Sequence, residues 1–149
     1  MRIVIAADHG GFLLKDELVR VLEQRGHAVS DLGTRDANSV DYPDYAHKAA
    51  RGLANSEWDR ALLVCGTGVG MSIAANRHAG VRAVVCSDVY TAKLSREHND
   101  SNVLCLGARV VGPGLAAEIL NAWLDTPYDP SQARHARRIE KIELGSAGA

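Results

Sequence analysis

The sequence has no charge excess of either sign. Its 149 residues carry 17 Lys+Arg against 18 Asp+Glu, a formal net charge of -1. A global basic field, the footprint of a nucleic-acid binder, is therefore absent. No apolar run approaches the ~20 residues that a membrane-crossing helix needs. The first residues, Met1 to Asp8, lack the charged start and small-residue cleavage site of a signal peptide. The cysteines number three, are widely spaced and include no C-x-x-C pair, which argues against a disulfide framework or a zinc site. These absences predict a cytoplasmic protein with no membrane and no nucleic-acid partner. There is no internal repeat and no low-complexity linker, so 1–149 is expected to form one domain.

What is present is an alternation of short apolar runs and helical stretches. Strands are expected at Arg2–Ala7, Ala28–Leu32, Arg60–Cys65, Val81–Cys86 and Val103–Gly107. Helices are expected at Phe12–Arg25, Asp44–Ala54, Met71–Arg77, Asp88–His98, Leu115–Leu124 and Gln132–Glu143. This order implies an α/β fold, a three-layer α/β/α sandwich around a five-stranded parallel, Rossmann-like sheet. The stretch 144–149 is Gly/Ala/Ser-rich and is expected to fray.

In such sheets ligands bind at the carboxyl ends of the strands. Polar residues and glycines crowd those positions: Asp8-His9-Gly10-Gly11, Cys65 to Gly70, Ser87-Asp88, and Gly107-Ala108-Arg109. Gly66-Thr67-Gly68-Val69-Gly70 follows a strand and opens a helix, so its amides can face an anion, either a phosphate or a developing oxyanion. The spacing is not the dinucleotide G-x-G-x-x-G, although Asp88 sits where a ribose-binding acid would. Cys65 is either a base or nucleophile, favoured as thiolate beside a helix N-terminus, or a small buried hydrophobe. Cys86 and Cys105 read as buried. Asp8 is either a ligand for hydroxyls or a helix cap, and His9 can donate to an anion. His98 is either an acid or a helix-end residue, with Asn99 as a left-handed cap. Arg134 and Arg138 share a helix face and can clamp a phosphate or simply be solvated. Arg109 reaches a strand-end crevice directly. His27, His47 and His78 read as surface residues without partners.

Taken in order, several blocks resemble the phosphosugar isomerase family of type B ribose-5-phosphate isomerases and galactose-6-phosphate isomerase subunits. They are the segment from Ile5 to Phe12, Asp41-Tyr42-Pro43, Cys65 to Asn76, Arg82 to Ser87, Leu94 to Asn102, Leu106 to Gly112, and Arg134-His135 with Arg138. The resemblance implies interconversion of ribose 5-phosphate and ribulose 5-phosphate, with other phosphosugars (allose 6-phosphate, galactose 6-phosphate, a tetrose phosphate) as alternatives. A nucleotide-binding module is the alternative from another class. The resemblance implies that Cys65 moves a proton between two sugar carbons. The backbone of Gly66, Thr67, Gly68, Val69 and Gly70 would hold the enediolate oxygen, with the Thr67 side chain assisting. His98 would open the sugar ring. Asp8 and Asn99 would bind hydroxyls, and His9, Arg109, Arg134 and Arg138 the phosphate. No metal or cofactor is implied. A homodimer or a tetramer is, with a site shared between two chains and the last helix, about 131–143, reaching the partner. Tyr42 is given no firm role.

Overall fold

A computed structural model describes residues 1–143 of the chain; the stretch expected to fray, 144–149, lies outside them. Five strands form one sheet: β1 (Arg2–Ala7), β2 (Ala28–Asp31), β3 (Arg60–Cys65), β4 (Ala83–Val85) and β5 (Val103–Gly107). Every neighbouring pair is parallel, and the order is β2-β1-β3-β5-β4. The helices are α1 (Phe12–Gln24), α2 (Tyr42–Ala54), α3 (Val69–Ala75), α4 (Val89–Asn99), α5 (Pro113–Asp125) and α6 (Ala133–Ile142).

Alternation along the strands explains the three layers. Ile3, Ile5, Leu62, Val64, Leu104 and Leu106 point to one face and meet Leu14, Leu18 and Leu22 of α1 with Ala116, Ile119, Leu120 and Trp123 of α5. Val4, Ala6, Leu63, Val103 and Cys105 point to the other and meet Ala46, Ala49 and Ala50 of α2 with Met71, Ala74 and Ala75 of α3. The three central strands are almost wholly buried because helices cover both faces. Parallel neighbours need crossovers, so every strand-to-strand helix runs back against the strand direction.

That rule fixes two separate ends. The loops after β1 and β3 leave toward opposite faces of the sheet and open a crevice between their carboxyl ends. α4 begins near the same edge and carries the chain back over 11 residues, roughly 16 Å at ~1.5 Å per residue. Its last residues therefore lie at the amino-terminal edge, beside the start of β4. α6 packs against α4 and stays with that edge.

The end of α4 is firmly held. Arg82, just before β4, donates to the carbonyls of Asn99 and Asp100 at 3.0 and 3.1 Å. Buried Arg96 donates to the Asp100 carboxylate at 2.7 Å. Asp100, not Asn99, takes the left-handed conformation, with φ 44°. Asn99 is the final helical residue.

Candidate active site

The crevice at the carboxyl edge gathers the first group of expected residues. Asp8 is buried, and its Oδ1 accepts the amide of Gly10 at 2.9 Å. It does not cap α1, whose N-cap is Gly11. The amide of Asp8 donates to Val64 O at 3.2 Å, so β1 and β3 stay paired to their last residue. A methyl group at position 10 would stand 3.3 Å from Asp8 Oδ1, 3.4 Å from Gly66 N and 3.6 Å from Arg109 Nη2. A carboxylate, a backbone amide and a guanidinium thus border one small space.

Arg109 reaches that space because β5 continues its pairing past its end. Ala108 N donates to Cys65 O at 2.8 Å, and Arg109 N to Gly66 O at 3.0 Å. The ladder can pass so close only because position 107 is glycine. A Cβ there would lie 2.7 Å from the Thr67 carbonyl carbon.

Cys65 ends β3 with its side chain 5% exposed. Gly68 has φ +80°, which turns its amide back toward Cys65 Sγ at 3.1 Å. The loop amides, rather than a helix field, supply positive potential here, because α3 is only seven residues long. It begins at Val69, not Met71, so the loop turns into helix within Gly68–Gly70. Thr67 is exposed, and its Oγ1 accepts the Val69 amide at 3.4 Å. Burial pushes the Cys86 and Cys105 thiols up, which keeps both protonated. Both match the reading of buried residues.

His9 is half-buried. The Val40 amide donates to its Nδ1 at 3.3 Å, so the neutral ring carries its proton on Nε2. Tyr42, which sequence reasoning left without a role, packs on the loop: a Cβ on Gly70 would lie 2.5 Å from Tyr42 Cζ. Beneath the crevice, buried Lys15 bonds Asp31 at 2.6 Å and Asp16 at 2.8 Å. Burial alone would lower the Lys15 pKa, but these two carboxylates raise it overall. Asp31 also accepts the Gly33 amide at 2.8 Å, and Gly33 O accepts the Ala7 amide beside Asp8.

The second group lies at the opposite edge. His98, Arg134 and His135 line an open groove of about 410 Å³ with Pro127, Asp129 and Gln132. The His98 and His135 rings stack with centroids 4.4 Å apart and planes 8° from parallel. Exposed Arg138 follows Arg134 by one helical turn, and Asn99 adjoins His98. Within one chain, then, Cys65, Asp8, His9 and Arg109 do not share a pocket with His98, Asn99, Arg134 and Arg138. Arg109 and the α6 arginines do not meet in the same chain.

Two further expectations need correction. His47 and His78 are not partnerless: their Nδ1 and Nε2 atoms lie 2.8 Å apart. His27 is half-buried, not a surface residue. Asp88 is already occupied as the N-cap of α4, accepting the Thr91 amide and hydroxyl at 2.8 Å each. A ribose would have to displace both, which weighs against the dinucleotide reading. Among the described residues, no three His, Cys, Asp or Glu side chains cluster as metal ligands.

Known proteins share this fold. Residues 3–142 match the family model described as Ribose/Galactose Isomerase. Ribose-5-phosphate isomerase B of Escherichia coli is 52% identical over 141 residues, covering 95% of this chain and 93% of the relative. A D-erythrulose-4-phosphate isomerase of Pectobacterium atrosepticum is 40% identical over 144 residues, with 95% and 93% covered. The solved Clostridium thermocellum ribose-5-phosphate isomerase B superposes with TM-score 0.93 at 49% identity, over 96% of this chain and 95% of that one. The Trypanosoma brucei type B enzyme gives TM-score 0.93 at 45% identity, with 97% of each chain covered. The chain belongs to the ribose/galactose isomerase family.

Proposed function

We propose that this protein is an aldose–ketose isomerase interconverting D-ribose 5-phosphate and D-ribulose 5-phosphate. The observation that carries the reading is the Cys65 sulfur set beside inward-turned loop amides, with Asp8 and Arg109 in the same crevice. Removing a proton next to a carbonyl creates an enediolate, which needs a base and an anion-stabilising group side by side. One short segment, Cys65 to Gly70, supplies both.

The steps balance without a redox partner, because aldose and ketose are isomers. First, the C1 hydroxyl loses its proton, the bond from C1 to the ring oxygen breaks, and the ring oxygen is protonated with the help of His98. Next, the Cys65 thiolate takes the C2 proton, and the C2 electron pair forms a C1=C2 enediolate held by the Gly66–Gly70 backbone and Thr67. The thiol then returns that proton to C1, while the C2 hydroxyl gives its proton to the C1 oxygen, so that C1 becomes a CH2OH group and the oxygen on C2 the carbonyl. Asp8 and Asn99 hold sugar hydroxyls. His9, with its proton on Nε2, and Arg109, Arg134 and Arg138 hold the phosphate, whose binding energy positions the reacting carbons.

His98, Asn99, Arg134 and Arg138 come from a second copy of the chain in this reading. The topology supports it: α4 and α6 carry them to the edge of the sheet opposite Cys65. A homodimer with two shared sites is the smallest assembly that completes the set, and two such dimers would make a tetramer. Among the described residues no helix is long and apolar enough to cross a membrane; a water-soluble phosphorylated substrate supports a cytoplasmic location in this reading.

Ribose 5-phosphate is favoured over a tetrose phosphate because identity is 52% to the ribose enzyme and 40% to the tetrose enzyme. An isomerisation assay across four-, five- and six-carbon aldose phosphates tests this. The highest kcat/KM is expected on ribose 5-phosphate. A higher value on a tetrose or hexose phosphate would reassign the substrate, and no turnover of any of them would overturn the reading.

A further inference from the structure

His135 is the one fully buried side chain of α6, 4% exposed. It touches two residues of the proposed site at once. Its ring stacks on His98 at 4.4 Å. Its Nε2 accepts Arg134 Nε at 3.3 Å. An accepting Nε2 puts the proton of the neutral ring on Nδ1, and buried Nδ1 finds no hydrogen-bond partner among the described residues. A buried polar atom left unpaired is a sacrifice of stability that calls for an explanation.

We propose that His135 is a positioning residue with two separable tasks: its flat face orients the His98 ring for sugar-ring opening, and its Nε2 aims the Arg134 guanidinium at the substrate phosphate. The inference rests on the roles given above to His98 and Arg134. Holding Arg134 through Nε leaves both terminal nitrogens of the guanidinium to grip phosphate oxygens bidentately. Packing ring against ring removes the rotational freedom of His98, a half-buried side chain near the end of a helix. The charged groups around His135 are Glu97 and His98 on α4, Asp129 on the preceding loop, and Arg134 and Arg138 on α6. Burial first, then the neighbouring His98, Arg134 and Arg138, hold its pKa below the usual imidazole range, against the opposing pull of Asp129. A neutral ring is what both tasks need, since a cationic one would lose its acceptor and repel Arg134.

Two substitutions separate the tasks. His135→Phe keeps a flat ring and loses the acceptor. His135→Gln keeps an acceptor and loses the ring. For ribose 5-phosphate, His135→Phe is expected to raise KM about tenfold with kcat within about twofold of native, the loss of one charge-assisted hydrogen bond. His135→Gln is expected to lower kcat about tenfold with KM near native, part of what a positioned acid contributes. Thermal unfolding of both variants is measured alongside. A merely structural residue would lower the melting temperature and leave kcat and KM unchanged, or change both alike in both variants; either result overturns the proposal. Failure of the functional reading itself is distinct, because the native chain would then isomerise no phosphosugar.

Discussion

The Gly68 amide donates to the sulfur of Cys65 across 3.1 Å, two groups that a left-handed glycine brings together. Gly68→Ala is expected to lower stability by ~1–3 kcal/mol, since φ is +80° and its Cβ would lie 3.1 Å from the Leu106 carbonyl carbon. It should also reduce kcat at least about tenfold by moving the amide off the sulfur. Gly80 is the control: its φ is +74° with nothing near a new Cβ. Gly80→Ala should be destabilised with kcat intact, as read by urea unfolding and steady-state assay.

The buried Lys15 pair predicts an asymmetry. The Lys15 side chain is 1% exposed, whereas Asp31 is 29% exposed. Asp31→Ala leaves a buried ammonium with only Asp16 and frees the Gly33 amide, and should cost about 3 kcal/mol. Lys15→Met leaves a carboxylate that can turn to water, and should cost under about 1.5 kcal/mol. Chemical denaturation measures both; the reverse order would contradict this picture.

Stability should fall with acid before the carboxylates titrate. His27, His78 and His135 are all held below the ordinary 6.5, first by burial. Above 6.5 folded and unfolded chains are alike neutral at these sites. As pH falls through 6.5 toward the folded values, the unfolded chain takes up protons that the folded one refuses, and stability is lost. Asp59, Asp88 and Asp129, held below 3.8, add their losses only at lower pH. The melting temperature is expected to drop between pH 7 and pH 5, and less steeply in His78→Asn. A flat profile would contradict the burial of these rings.

A shared site predicts complementation. Cys65→Ala and Arg134→Ala chains should each be nearly inactive as homodimers. Random exchange gives roughly half mixed dimers, each with one intact site of two, so about a quarter of native activity should return. Verified mixed dimers without activity would contradict sharing.

The sequence was most legible where one residue's surroundings are set by its own segment. β1, β3 and β5 stand at their expected bounds because continuous apolar runs have no other place than the sheet centre. β4 shrank from Val81–Cys86 to Ala83–Val85 because an edge strand pairs on one side only, with β5. Cys65 and its glycine loop were visible because the thiol and the amides lie within six residues. The His47–His78 contact spans 31 positions, and only the packing of separate segments creates it. The grip of Arg82 and Arg96 on the end of α4, and the His98–His135 stack, were hidden for the same reason. No local spacing encodes which helix ends meet.

The most direct test of the account is turnover of ribose 5-phosphate by Cys65→Ala, with substrate affinity measured in parallel by calorimetry. If Cys65 moves the proton, kcat falls by at least ~10³, within the range a positioned base contributes, while Kd stays within a few-fold of native. A kcat within tenfold of native would contradict the account.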